Sequence, residues 1–169
     1  MSGKILVVGG AGYIGSHMVK MLLGSGFEVT VLDDLSNGRR DLVLTPDFIE
    51  GDMSNRELLA AIFKTRHINA VMHFAANIDV GESVRNPAKY YENNVAKTIG
   101  LLNSMIQFEV QKLIFSSTCS VYGIPQKMPI TEETPVGPIN PYGESKLMVE
   151  RIISSYSRAQ AIEDGVLVD

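Results

Sequence analysis

The turn Gly9-Gly10-Ala11-Gly12-Tyr13-Ile14-Gly15 constrains this chain more than any other feature. It follows the apolar run Ile5-Leu6-Val7-Val8, which suits a strand buried on both faces. Helical spacing begins straight after it. A strand that passes through such a turn into a helix opens a βαβ unit, and each glycine has a task there. Gly9 permits the tight turn. Gly12 lets the backbone approach a pyrophosphate that a Cβ would block. Gly15 lets the helix lie close to the strand. Phosphates then sit on the helix N-terminus, where free N–H groups and the helix dipole favour an anion.

The rest of the chain keeps switching between strand and helix periods. Residues 27–32, 48–49, 70–74 and 112–115 read as further strands. Residues 12–24, 57–65, 90–108 and 141 to about 158 read as helices. In the first helix Ile14, Met18, Met21 and Leu22 are the expected inward side. Gly123, Pro125, Pro129, Pro135, Gly137 and Pro138 predict a long irregular loop over 117–140. Pro141 suits the first position of the last helix. The alternation predicts an α/β fold, a Rossmann-type doubly wound parallel sheet with helices on both faces. Residues 1–158 are expected to form one NAD-binding Rossmann domain, followed by an atypical tail over 159–169.

Composition narrows the partners. A net charge of −4 offers no field that would attract nucleic acid or an anionic membrane surface. No apolar run is long enough for a membrane span or a signal segment. The single cysteine, Cys119, rules out an internal disulfide and fits a reducing compartment, so a cytoplasmic location is expected. No metal site is expected.

Asp33 ends the second strand about 20 residues past the glycine turn, where an acidic side chain accepts from the adenosine ribose hydroxyls. A carboxylate there repels a 2′-phosphate, which favours NAD over NADP. Arg39 and Arg40 are the opposing signal, since nearby arginines can hold that phosphate. Asp52, just past the third strand, is placed either to reach the adenine or simply to form a turn. Tyr142 and Lys146 lie one turn apart on a single helix face. Free tyrosine titrates near about pH 10, and an ammonium one turn away favours the phenolate needed of a base. The fifth strand runs into Ser116-Ser117-Thr118-Cys119-Ser120, and Thr118 is the candidate hydroxyl to hydrogen-bond a reacting group. His73 reads as a packed histidine and Cys119 as no nucleophile.

These elements in this order resemble the extended short-chain dehydrogenases/reductases, and within them the UDP-glucose 4-epimerase family. The similarity runs from Gly9 to about Ser157. It is carried by Gly9–Gly15, Asp33–Gly38, Glu50-Gly51-Asp52, His73–Ala76, Val80–Val84, Tyr90–Val95, Ser116–Gly123 and Pro141–Lys146. The resemblance implies that Tyr142 is the base, that Lys146 holds the nicotinamide ribose and tunes Tyr142, and that Thr118 fills the Ser/Thr position. It places Tyr13, Ile14, Asp33, Asp34, Leu35, Ser36, Asn37, Gly38, Asp52, Met53, Phe74, Ala75, Ala76 and Asn93 on cofactor-contact positions. Some relatives carry a lysine where this chain has Ile78, so that contact is not available. The acid and base pair that similar dehydratases need after the threonine is Cys119-Ser120 here, which removes dehydratase chemistry.

The implied reaction is oxidation and re-reduction at carbon 4 of a nucleotide sugar, UDP-glucose or UDP-galactose. Relatives continue for well over a hundred residues with a substrate-binding domain. The chain therefore reads as an N-terminal half lacking most of that C-terminal domain, with an exposed sheet edge. Val166–Val168 could add an edge strand. Two alternatives stay open, an NAD-binding fragment without turnover and an epimerase or dehydrogenase for another nucleotide sugar. Leu101, Leu102, Met105, Ile106, Met148, Ile152 and Ile153 could form a face shared by a homodimer, or could pack on their own sheet.

Overall fold

A computed structural model describes residues 3–163. Five strands form one sheet in the order β3-β2-β1-β4-β5, with every pair parallel. They are β1 (Lys4–Val8), β2 (Glu28–Asp33), β3 (Phe48–Glu50), β4 (Ala70–His73) and β5 (Leu113–Phe115). Helices α1 (Tyr13–Gly24), α2 (Arg56–Arg66) and α5 (Lys97–Gln107) run between them. The order reverses at β1, so the chain winds outward in both directions from the strand that carries the glycine turn. The predicted parallel α/β sheet is therefore the one observed.

Alternation along the strands shows why helices are needed on both faces. Ile5, Val7, Val29 and Val31 pack with Val19 and Leu22 of α1 in one core cluster. Their neighbours Leu6, Val8, Thr30 and Leu32 point the other way and are also buried. Each such aliphatic side chain removed from water stabilises the fold by about 1.5–3 kcal/mol.

The inward face of α1 differs from the predicted one. Ile14 is 58% exposed and Met21 is 66% exposed, whereas Gly15, Ser16, Val19 and Leu22 are buried. Gly15 sets this phase. A Cβ on it would stand 2.1 Å from the Gly9 carbonyl oxygen. That close approach makes Gly15 the innermost residue, and Val19 and Leu22 follow at four and seven positions on. Ile14 and Met21 are thereby turned outward.

Compactness divides the chain into two units, residues up to 76 with 100–116, and residues 77–99 with those from 117 onward. The first unit holds the sheet, α1 and α2. The second holds α3 (Val80–Arg85), α4 (Pro87–Tyr90), a π-helical stretch over Tyr91–Ala96, and α6 (Pro141–Glu163). Inside this second unit α6 packs on α3, α4, the π-helical stretch and a short 3-10 turn at Cys119–Tyr122. The predicted helix over 90–108 thus exists but contains a π turn, and α3 is an additional element. The predicted loop over 117–140 is present apart from the 3-10 turn. Pro141 opens α6 as predicted, Asn140 Oδ1 caps it by accepting from Gly143 N at 2.8 Å, and the helix runs five residues beyond 158.

Leu101, Leu102 and Met105 are buried inside the chain, so they cannot form a face shared with a second copy. Ile106 and Met148 stay exposed. Ile114 of the outer strand β5 is exposed too, as expected of an apolar sheet edge. Val166–Val168 lies outside the described residues. No helix among the described residues is long and apolar enough to cross a membrane.

Candidate active site

The first unit gathers Gly9, Gly12, Tyr13, Ile14, Gly15, Asp33, Asp34, Leu35, Ser36, Asn37, Gly38, Asp52, Met53, Phe74, Ala75 and Ala76. In an open parallel sheet, ligands bind outside the carboxyl ends of the strands, where the strand order reverses. The glycine turn directly follows β1, Asp33 ends β2, Asp52 lies two residues past β3, and Phe74 directly follows β4.

The glycines divide by what demands them. Gly9 has a φ of 84°, and a Cβ on it would lie 2.4 Å from Ala75 N. Gly9 and Gly15 are therefore required by the protein's own packing. A Cβ on Gly12 would meet nothing nearer than the Gly9 carbonyl oxygen at 3.4 Å, an ordinary contact. Its backbone is extended (φ −81°, ψ 173°), which suits any residue. Nothing in the fold needs glycine there. Helix α1 starts there with no side-chain cap, the arrangement in which a helix N-terminus can receive an anion. Tyr13 and Ile14 flank it, both exposed.

Asp33 is buried and ties two loops together. Its Oδ2 accepts from Ala11 N and its Oδ1 from Leu35 N, each at 2.9 Å. An ionised carboxylate has about four acceptor sites, so capacity remains for ribose hydroxyls. Asp34 Oδ1 accepts from Ser36 N at 2.9 Å and Ser36 Oγ at 2.6 Å, which shapes the following turn. Leu35 takes a φ of 57° in that turn. Arg39 binds Asp41 through Nε at 3.0 Å and Nη2 at 2.6 Å. Arg40 binds Glu50 at 3.3 Å and stacks over Phe48 at 4.2 Å. Both arginines pair with carboxylates on the protein surface. Asp52 Oδ1 accepts from Ser54 N at 2.7 Å, the turn role, and Met53 is buried. His73 is buried with its ring 5.6 Å from that of Phe115, a packed histidine. Cys119 is an exposed free thiol.

The second unit brings Asn93, Thr118, Tyr142 and Lys146 into one body. Tyr142 is half-buried in the first turn of α6. A Cβ on the next residue, Gly143, would lie 2.7 Å from the Ser120 carbonyl oxygen, so this turn abuts the segment that carries Thr118. Thr118 Oγ1 accepts from Ser120 N at 3.2 Å, which leaves its proton to donate. Asn93 Nδ2 donates to Asn94 Oδ1 at 3.1 Å.

Lys146 is 3% exposed, and burial pushes its ammonium down to about 8. The unfolded chain keeps that proton to about pH 10.5, so it binds more protons across the window between the two values. Stability therefore rises with pH from about 8 to about 10.5, and below that window the buried charge opposes folding. Lys146→Met is expected to stabilise the fold at pH 7 by about 1–3 kcal/mol. That gain should fade by pH 10.5. Thermal melts of both proteins across pH check it, and a less stable variant at pH 7 would refute it.

Sequence reasoning missed the residues that brace this helix. Asn94 is buried and central. Its Oδ1 accepts from Asn77 N at 2.8 Å, and its Nδ2 donates to the Asn77 carbonyl at 3.0 Å and to Ser145 Oγ at 3.1 Å. Ser145 Oγ in turn donates to the Tyr142 carbonyl at 2.7 Å. Within the same unit, the Ser117 hydroxyl donates to the Glu150 carboxylate, another tie to α6. The ring of buried Tyr90 meets that of Tyr142 edge-on, with centroids 6.5 Å apart and planes at 77°, a contact worth about 0.5–1.5 kcal/mol. One signal was legible. Asn94 falls on the stripe 94, 98, 101, 105, whose other members are buried, so a polar side chain on it needed partners.

Residues 5–166 match the NAD dependent epimerase/dehydratase family. A UDP-glucose 4-epimerase of Lactobacillus helveticus is 50% identical over 161 residues, covering 95% of this chain and 49% of the relative. A putative UDP-arabinose 4-epimerase of Arabidopsis thaliana is 46% identical, over 91% of this chain and 38% of that protein. A crystal structure of UDP-glucose 4-epimerase from Brucella ovis in complex with NAD superposes with a TM-score of 0.91 at 46% identity, over 94% of this chain and 49% of that one. The chain spans about half the length of relatives such as the first of these.

Proposed function

The chain belongs to the NAD dependent epimerase/dehydratase family, and from that premise we propose that it holds NAD and serves 4-epimerisation of a UDP-sugar in the cytoplasm. The observation that carries the cofactor reading is the glycine division, since Gly12 alone of the three is not accounted for by protein contacts. The backbone N–H groups after Gly12 would receive the pyrophosphate, and the spare acceptor sites of Asp33 the adenosine ribose. Tyr13, Ile14, the loop from Asp34 to Gly38, Asp52, Met53, Phe74, Ala75, Ala76 and Asn93 complete the proposed contacts. Bound there, NAD supplies a hydride acceptor that returns the hydride and so is not consumed.

The protein's part is acid–base work. Tyr142 takes the proton from the sugar 4-hydroxyl and gives it back on the return step. Thr118 donates to the reacting oxygen. Lys146 supports the Tyr142 phenolate and the nicotinamide ribose. The substrate class rests on the relatives, whose names include UDP-glucose and UDP-arabinose 4-epimerases. The arabinose relatives favour a second reading in which the sugar is a pentose. Because the chain spans about half the relatives' length, cofactor binding without turnover is the other reading. Self-association is proposed only through exposed residues such as Ile106 and Met148.

NAD(H) is expected to bind at least about tenfold more tightly than NADP(H), a gap of about 1.4 kcal/mol. Titration of the chain with NADH and NADPH, followed by nicotinamide fluorescence, measures this. Tighter NADPH binding would overturn the reading of Asp33 and return Arg39 and Arg40 to consideration.

A further inference from the structure

We propose that Tyr90 is a positioning residue for Tyr142, its buried ring fixing the direction of the Tyr142 side chain. The proposal rests on the reading of Tyr142 as the base.

Tyr90 is the largest fully buried side chain among the described residues, at 0% exposure. Its hydroxyl is anchored at the far end of the ring. The one proton is shared between the Asp79 carbonyl at 2.6 Å and Glu82 Oε2 at 3.0 Å. Lys89 Nζ holds the other oxygen of that carboxylate at 2.7 Å. The ring is thus pinned at its tip by the α3 region and at its base by α4. The ring also meets that of Tyr142 edge-on.

The Tyr142 backbone is fixed from the same stretch of chain. Asn94, four residues after Tyr90, donates to Ser145 Oγ, and Ser145 donates to the Tyr142 carbonyl. Tyr90 and Asn94 stand on either side of the start of the π-helical stretch, and α6 packs on both α4 and that stretch. A π turn changes the phase of a helix, and such turns recur at functional sites. Here one stretch supplies a ring against the Tyr142 side chain and an amide that steadies its backbone. A base must stay within hydrogen-bond reach of the proton it takes, so a loose Tyr142 would lose rate even with its chemistry intact.

Tyr90 is no rival base. Burial first, then the Glu82 carboxylate, pushes its hydroxyl up to about 12. It stays protonated and keeps donating at working pH.

The test uses the whole chain labelled with 3-fluorotyrosine and read by fluorine NMR, with the Tyr142 line identified by its loss in Tyr142→Phe. Tyr90→Phe keeps the ring, and the Tyr142 line should hold its position and width. Tyr90→Leu removes the ring, and the line should broaden or move by more than its own width while the exposed Tyr13 line stays put. A Tyr142 line unchanged in Tyr90→Leu overturns the proposal, and so does an equal change in Tyr90→Phe. Should Tyr90→Leu fail to fold, cross-relaxation between the two rings in the wild-type chain decides. Its presence supports the brace and its absence overturns it. No cofactor or turnover is needed, so failure of this proposal and failure of the catalytic reading are separate results.

Discussion

Gly12→Ala is expected to weaken NAD binding by about 100-fold or more while changing the stability of the fold by no more than about 1 kcal/mol. The new methyl group meets only one protein atom, at 3.4 Å, and the extended backbone accepts it. It would stand where the pyrophosphate must approach the start of α1. Gly15→Ala should behave in the opposite way. Its methyl group would lie 2.1 Å from a backbone oxygen, so α1 must shift off β1, at a cost of about 3 kcal/mol. Thermal melts and NADH titrations on the two variants separate the effects. Equal NAD affinity in Gly12→Ala and the unaltered chain would remove the phosphate site from the glycine turn.

Under the proposed 4-epimerase reading, Tyr142→Phe lowers turnover of UDP-galactose by about 10²–10⁴-fold, the usual contribution of a positioned acid–base group. NAD affinity should stay within about threefold, a difference of about 0.6 kcal/mol. The phenyl ring keeps its edge-on contact with Tyr90, and the tie from Ser145 reaches the backbone rather than the hydroxyl. A coupled assay on the chain and the variant measures the difference. A variant that turns over as fast as the chain itself would remove Tyr142 from the mechanism. A chain that binds NAD but shows no turnover would select the reading of cofactor binding alone. Either result bears on how much of the reaction this half of the relatives' length can carry, since binding energy from the remote nucleotide is what normally positions the reacting sugar.

The sequence by itself determined the architecture and nominated the candidate site residues. The strand and helix periods are local properties of the chain, and the glycine turn, Asp33 and the Tyr142–Lys146 spacing are each set within a few residues. Local patterns therefore predicted the parallel sheet and named candidates that the structure gathers as two groups, one in each unit. What tertiary structure alone decided is how those residues are phased and held. The face of α1 followed from one contact between Gly15 and the Gly9 carbonyl, against the apolar pattern that favoured Ile14 and Met21. The engagement of Arg39 and Arg40 depended on Asp41 and on Glu50, the latter on a neighbouring strand. The bracing of Tyr142 depended on Tyr90 and Asn94, some fifty residues earlier in the chain. The contacts at Tyr142 join segments far apart in sequence, and no period of two or 3.6 residues encodes any of these contacts. They exist only once the chain has folded and each buried polar group has had to find a partner.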